Sequence, residues 1–178
     1  KAGSLLAVDI SSLLQNKDNA KFSVLFEPSE RCSMDSYVIT STYIILQLLE
    51  NVRSKLVYWK HTKDNGWTKK YNENPSIIRG INLSSVDEDN NDFLWVTRYS
   101  FTQPSTLSLV NASDGPVGIS KAKCIKSLPH MFDASDLVEK QYETKSLDGT
   151  IIPYFIVHKK DLAYDSNTPT LLYGYGGF

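Results

Sequence analysis

The constraint that dominates this chain is the regular return of turn residues between short apolar or alternating runs. Phe22, Val24 and Phe26 share one face at the period of two that a half-buried strand requires, and Pro28 closes the run. Leu5–Ile10 is a short apolar strand, followed by a polar connection from Ser11 to Ala20. Tyr37–Thr40 and Thr42–Leu49 continue the series. The second of these, TYIILQLL, is apolar enough for a buried helical turn, but its β-branched content and shortness favour a strand. Lys55–Lys60 is a further strand between two turns, Asn51–Ser54 and Asp64-Asn65-Gly66. Ile77–Leu83, Asp92–Arg98 and Thr106–Val110 come next, then a turn cluster at Asn111–Gly118 and a last short strand at Cys124–Ser127. Short strands at such spacing predict an all-β sandwich or a propeller. A weak echo links Leu56–Trp59 with Leu107–Val110, each just before an Asn/Asp-Gly turn, on the scale of the roughly 40–50 residues of a propeller blade.

The C-terminal stretch is organised differently. Asp148-Gly149 separates two strand-like runs and predicts a tight hairpin. Pro153, inside the second run Thr150–His158, predicts an edge position or a bulge, because proline cannot donate to a ladder. After a polar loop, Thr170–Tyr173 reads as a short buried strand running into the glycine-rich turn Gly174–Phe178. In open α/β sheets ligands bind at that end of the strands.

Composition narrows the functional classes. The 178 residues carry 19 Lys+Arg against 20 Asp+Glu, a formal net charge of -1, with no basic stripe for nucleic acid or anionic membrane. Nowhere does the sequence hold the roughly 18 consecutive apolar residues of a membrane span. Cys32 and Cys124, far apart and without Cys/His ligand spacing, predict reduced, semi-buried thiols rather than a disulfide framework or a zinc site. No cofactor is expected. The sequons at Asn82 and Asn111 are read as chance triplets.

Catalytic constellations are sparse. A serine hydrolase of α/β type needs a G-x-S-x-G nucleophile elbow, and none is spelled here; Gly118-Ile119-Ser120 begins like one but continues Lys121-Ala122. His61, His130 and His158 have no Ser, Cys or carboxylate partner at a telling spacing, so each reads as solvated or locally bonded. Asp87-Glu88-Asp89 reads as a solvated acidic loop and does not spell a calcium site.

Four segments in order carry a family likeness. SLDGTIIPYFIVHKK and PTLLYGYGGF resemble the start of the α/β-hydrolase domain of the prolyl oligopeptidase family of serine peptidases. Tyr99–Thr106 resembles that family's last propeller blade, and Phe132–Asp136 its crossing from propeller to hydrolase. The likeness is dense after Tyr99 and thin before it. It implies a mainly β chain: part of a β-propeller, about two blades plus strands of a third, then the first strands of an α/β-hydrolase sheet. The implied domains are 1–131 for the propeller part, 132–137 for the linker and 138–178 for the truncated start of the peptidase domain, so the chain is expected to be a piece of a longer protein.

The resemblance also implies roles. In the family the second Tyr of Y-G-Y-G-G-F donates its phenol to the oxyanion and the Phe lines the specificity pocket, which here are Tyr175 and Phe178. A neutral donor of pKa about 10 stabilises developing negative charge without adding a full charge. The implied activity is hydrolysis of short peptides after proline, with the nucleophile, acid and base outside this chain. A sister activity preferring basic residues, and a propeller binding or scaffold module without peptidase activity, are the alternatives. Arg98 and Trp95 are candidates to face the substrate tunnel. The family favours the cytoplasm, with a secreted or periplasmic setting open. Cut blade faces and an unpaired sheet edge predict self-association, or loss of order after about Thr168.

Overall fold

The computed structural model describes residues 1–15, 19–71 and 80–176. The strand expectation at 77–79, and Phe178, lie outside them. The chain divides into two compact units, Lys1–Met131 and Phe132–Phe178.

In the first unit β1 (Leu5–Ala7) pairs antiparallel with β2 (Ser23–Phe26), joined through α1 (Ile10–Gln15). A four-stranded antiparallel sheet follows: β3 (Cys32–Ile39), β4 (Tyr43–Glu50), β5 (Arg53–Thr62) and β6 (Gly66–Lys70), in chain order. A second such sheet runs β7 (Gly80–Ser85), β8 (Phe93–Tyr99), β9 (Thr106–Asn111) and β10 (Cys124–Ser127), with α2 (Gly115–Lys121) between its last two strands. The fold is mainly β, and these meandering sheets have the form of propeller blades. Leu56–Trp59 and Leu107–Val110 occupy the third strand of each sheet, so the weak echo in the sequence marks equivalent positions.

Turn chemistry sets the registers. Asn51 and Val52, both at positive φ (49° and 64°), join the paired residues Glu50 and Arg53, as a two-residue hairpin of primed type requires. Between β5 and β6 the chain closes at the pair Thr62 and Gly66, and Gly66 takes φ 62°, the left-handed geometry that glycine adopts without steric cost.

Burial explains the unbroken apolar character of β4. Ile45, Leu56 and Tyr58 face the second sheet, where Leu83, Leu94, Val96, Val110 and Ile119 complete one core. Leu46, Leu48 and Val57 point the other way and pack with Phe26 of β2 and Leu5 of β1. A sheet covered on both faces needs apolar residues at consecutive positions, which is why TYIILQLL shows no alternation. The outer side of the second sheet is more open: Phe93, Trp95 and Leu109 there are 37–41 % exposed.

Asp92 stitches the sheets together. Its Oδ1 accepts from the Thr40 hydroxyl at 2.7 Å and from the Thr42 amide at 2.8 Å, while Ser41 N–H reaches the Asn91 carbonyl. Tyr71, just after β6, packs its ring edge-on to Tyr58 and donates its hydroxyl to the Ser113 carbonyl. A Cβ on Gly115 would lie 2.8 Å from that ring, so this close approach requires glycine.

Several sequence expectations are corrected. The polar connection after Ile10 contains α1, capped by Asp9, whose Oδ1 accepts from Ser12 N–H at 2.7 Å. The turn cluster at Asn111–Gly118 contains α2, with Pro116 in its first turn and Arg98 donating to the Ile119 and Ala122 carbonyls at its end. Gly118-Ile119-Ser120 is therefore helical, with Ile119 fully buried.

The second unit is a hairpin of β11 (Leu137–Lys145) and β12 (Ile151–Lys159). Its turn is a three-residue loop, Leu147–Gly149, rather than a two-residue Asp-Gly turn: Gly149 N–H bonds the Ser146 carbonyl, Ser146 N–H bonds the Thr150 carbonyl, and Gly149 takes φ 89°. Pro153 sits opposite Glu143 in this two-stranded sheet. Thr170–Tyr173 forms no strand and is not buried; Leu171 and Leu172 are 91 % and 95 % exposed. An isolated strand gains nothing without partners for its backbone groups, and none of the described strands pairs with this segment.

The Asp92 junction carries a test. Asp92→Ala removes a charged acceptor from a buried hydroxyl and an amide, and is expected to cost about 2–3 kcal/mol in urea unfolding of the chain, with an unchanged m value. A loss below about 0.5 kcal/mol would show that the junction does not depend on this carboxylate.

Candidate functional site

Tyr175 lies at the end of a path that starts in β12. His158, buried near the end of that strand, has Nδ1 2.6 Å from the Lys159 carbonyl, and its Nε2 lies 3.1 Å from the Tyr164 hydroxyl. The carbonyl can only accept, so Nδ1 carries a proton toward it, and the Tyr164 hydroxyl meets the other ring nitrogen. His158 is thus locally bonded, as its sequence context suggests. The same strand end is tied to the start of the unit: Lys160 N–H donates to the Asp136 carbonyl at 2.8 Å and Lys160 Nζ to the Ser135 carbonyl at 2.7 Å. These anchors fix where residues 161–176 leave the hairpin.

Beyond them residues 162–176 form no helix or strand and are largely exposed. Tyr173 and Tyr175 are 82 % and 77 % exposed. A Cβ at Gly174 or Gly176 would meet nothing within 4 Å, and neither glycine takes a positive φ, so local packing does not demand glycine at either place.

The remaining candidates are scattered. His61 is exposed and its ring centroid lies 5.0 Å from that of Trp67, opposite it in the ladder. His130 is exposed. Asp87 closes its own turn, accepting from the Asn90 side chain and then from the Asp89 and Asn90 amides, which hold its carboxyl below the usual range. Among the described residues no cluster of His, Cys, Asp or Glu could hold a metal ion, and no helix is long and apolar enough to cross a membrane. Both cysteines are free thiols. Cys32 is half-buried, and burial pushes its thiol up; Cys124, expected to be semi-buried, is instead exposed on β10, its thiol 3.1 Å from the Lys126 carbonyl. Arg98 is engaged at the end of α2, while Trp95 faces outward from the second sheet. On that outer side Phe93, Leu109, Val117 and Lys121 line an open cleft of about 520 Å³.

Sequence reasoning missed the Asp92 junction and the His158–Tyr164 bond. Both join residues whose partners are set by three-dimensional packing, although the Asx-rich run Asp87–Asp92 is a signal of side-chain-directed turns.

No family model matches the chain. Among curated relatives it is 35 % identical to an uncharacterized peptidase of Sinorhizobium fredii over 99 % of this chain and 23 % of that protein. It is 30 % identical to a prolyl endopeptidase of Elizabethkingia meningoseptica over 62 % of this chain and 16 % of that protein. Among solved structures, a post-proline cleaving enzyme from Rickettsia typhi superposes with a TM-score of 0.70 at 28 % identity, covering 100 % of this chain and 25 % of that one. In sequence and in fold, along its whole length, the chain is therefore related to the prolyl oligopeptidase family of peptidases. It spans about a quarter of the length of the first of these relatives and of the Rickettsia typhi structure.

The hairpin turn supplies a pH test. The Ser146 hydroxyl and then the Thr150 amide hold the Asp148 carboxyl down to about 2 from an ordinary value of 3.8. A depressed folded pKa contributes stability that is present above the unfolded value and is lost as pH falls through the folded one. Amide exchange at Thr150 and Gly149 is expected to stay slow down to pH 4 and to quicken, beyond the intrinsic pH effect, between about pH 4 and 2. Asp148→Asn should remove that step; an identical profile in the variant would sink the assignment.

Proposed function

We propose that the whole protein is a serine-type oligopeptidase that hydrolyses short peptides on the C-terminal side of proline. In this reading residues 1–131 supply the end of a propeller, 132–137 the linker and 138–178 the start of the peptidase domain. Tyr175 supplies the oxyanion donor and Phe178 a wall of the specificity pocket. The observation that carries the reading is the run Tyr173–Phe178, which spells the family's Y-G-Y-G-G-F in a chain related over its length to an enzyme described as post-proline cleaving. The exposure of Tyr175 is compatible with a phenol that works against a reacting carbonyl.

The chain itself contains no G-x-S-x-G elbow and is inactive alone in this reading. Relatives named as peptidases disfavour the alternative of a propeller that only binds. Neighbours described as oligopeptidase B share 17 % identity and bear on the fold alone.

A fluorophosphonate probe and a proline-containing fluorogenic peptide test this together, on the 178-residue chain and on the protein of its full reading frame. Only the longer protein is expected to label and to cleave, and Tyr175→Phe in it should lower kcat by roughly 10²–10³-fold with little change in KM. Turnover by the short chain above its own Tyr175→Phe control, or full activity of the longer variant, would reject the assignment.

The same reading implies self-association of the 178-residue chain. Leu6 and Val24 on β1–β2, and Phe93, Trp95 and Leu109 on the second sheet, present apolar side chains outward at residues 37–54 % exposed. Such faces bury apolar area when sheets stack. Light scattering is expected to show dimers or larger species at micromolar concentration; a compact monomer would contradict this.

A further inference from the structure

The β5–β6 hairpin gathers charge that the core does not use. From Lys60 to Lys70 it carries four lysines and one aspartate, in a chain of formal net charge -1. Lys60 lies over the Tyr43 ring at 5.7 Å. Lys63, Lys69 and Lys70 are exposed, and among the described residues none of the three is in an ion pair.

The backbone beside these charges is also available. Strand β6 ends its sheet and, among the described residues, pairs with β5 alone, so alternate residues turn N–H and C=O outward. Register separates its side chains by face. Trp67 and Lys69, opposite His61 and Trp59, share one side; Thr68 and Lys70, opposite Lys60 and Tyr58, share the other.

We propose that the free edge of β6 is a docking strip for an extended acidic peptide segment, added as a further strand with acidic side chains beside Lys69 and Lys70 and an apolar one beside Trp67. The five residues of β6 give the guest a paired length of about 16 Å. Main-chain hydrogen bonds supply attachment and the two lysines supply the sign of charge selected. A polyphosphate fits less well. It has no peptide N–H and C=O groups and cannot continue the ladder. The inference does not rest on the peptidase reading.

The rival explanation is that the lysines only guard an edge against aggregation. A labelled, end-blocked peptide of about six residues, with two adjacent glutamates flanked by valines, distinguishes the two when titrated into the 178-residue chain alongside its glutamine and lysine counterparts. The glutamate peptide is expected to bind, more weakly as salt rises, and to slow amide exchange at Gly66–Lys70. Lys69→Glu/Lys70→Glu should weaken it roughly tenfold and strengthen the lysine peptide, and Lys69→Gln/Lys70→Gln should fall between should the reversal disturb folding. No binding at millimolar peptide, protection elsewhere than β6, affinity indifferent to the charge swap, or tighter binding of a single-stranded oligonucleotide than of the glutamate peptide would each overturn the proposal.

Discussion

Burial of one sheet on both faces is the constraint from which the first unit follows. With Leu46, Leu48 and Val57 turned toward β1–β2 and Ile45, Leu56 and Tyr58 toward the second sheet, β4 and β5 have no solvent side along their middle. Such strands expose a nearly continuous apolar surface when alone, so their neighbours are part of their stability. Desolvation shows in the tyrosines of that interface. Burial, followed by the hydrogen bond that Tyr43 donates to Tyr71, pushes the Tyr43 phenol up to about 12, and burial raises Tyr58 as well. Both side chains are therefore neutral packing elements at any physiological pH.

Polar contacts give this stack its register. Apolar faces can slide, whereas Asp92 meets Thr40 and Thr42 in one arrangement, and Tyr71 meets Gly115 and Ser113 in another. The two sets join different strands of the first sheet to different parts of the second. Arg98 acts within the second sheet, holding the end of α2 so that Ile119 reaches the shared core.

Much of the strand order was legible in the sequence because its causes are local. Asn51-Val52 and Asp64–Gly66 announce their turns, and the apolar run of β4 announces burial on both faces. What failed to show has non-local causes. Helix α1 depends on a cap from Asp9 within a run that reads as polar loop, and α2 on packing of Ile119 and on Arg98, distant in sequence. Thr170–Tyr173 has strand composition, but composition provides no partner strand, and in the structure the segment forms no strand and is exposed. At the candidate site, the motif alone marks Tyr175, while the His158–Tyr164 bond near the end of β12 arises from three-dimensional packing that no local pattern spells.

Pairing in all three main sheets follows chain order, β3 through β6, β7 through β10, and β11 with β12. Each sheet can therefore close from neighbouring hairpins before any distant contact forms, and hairpins of this kind form in roughly 1–10 μs. The contacts between sheets, such as Asp92 with Thr40, join residues far apart in sequence and so close larger loops. In order of synthesis, all four strands of the first sheet precede those of the second, so the apolar face of the first sheet waits for a cover that is made later.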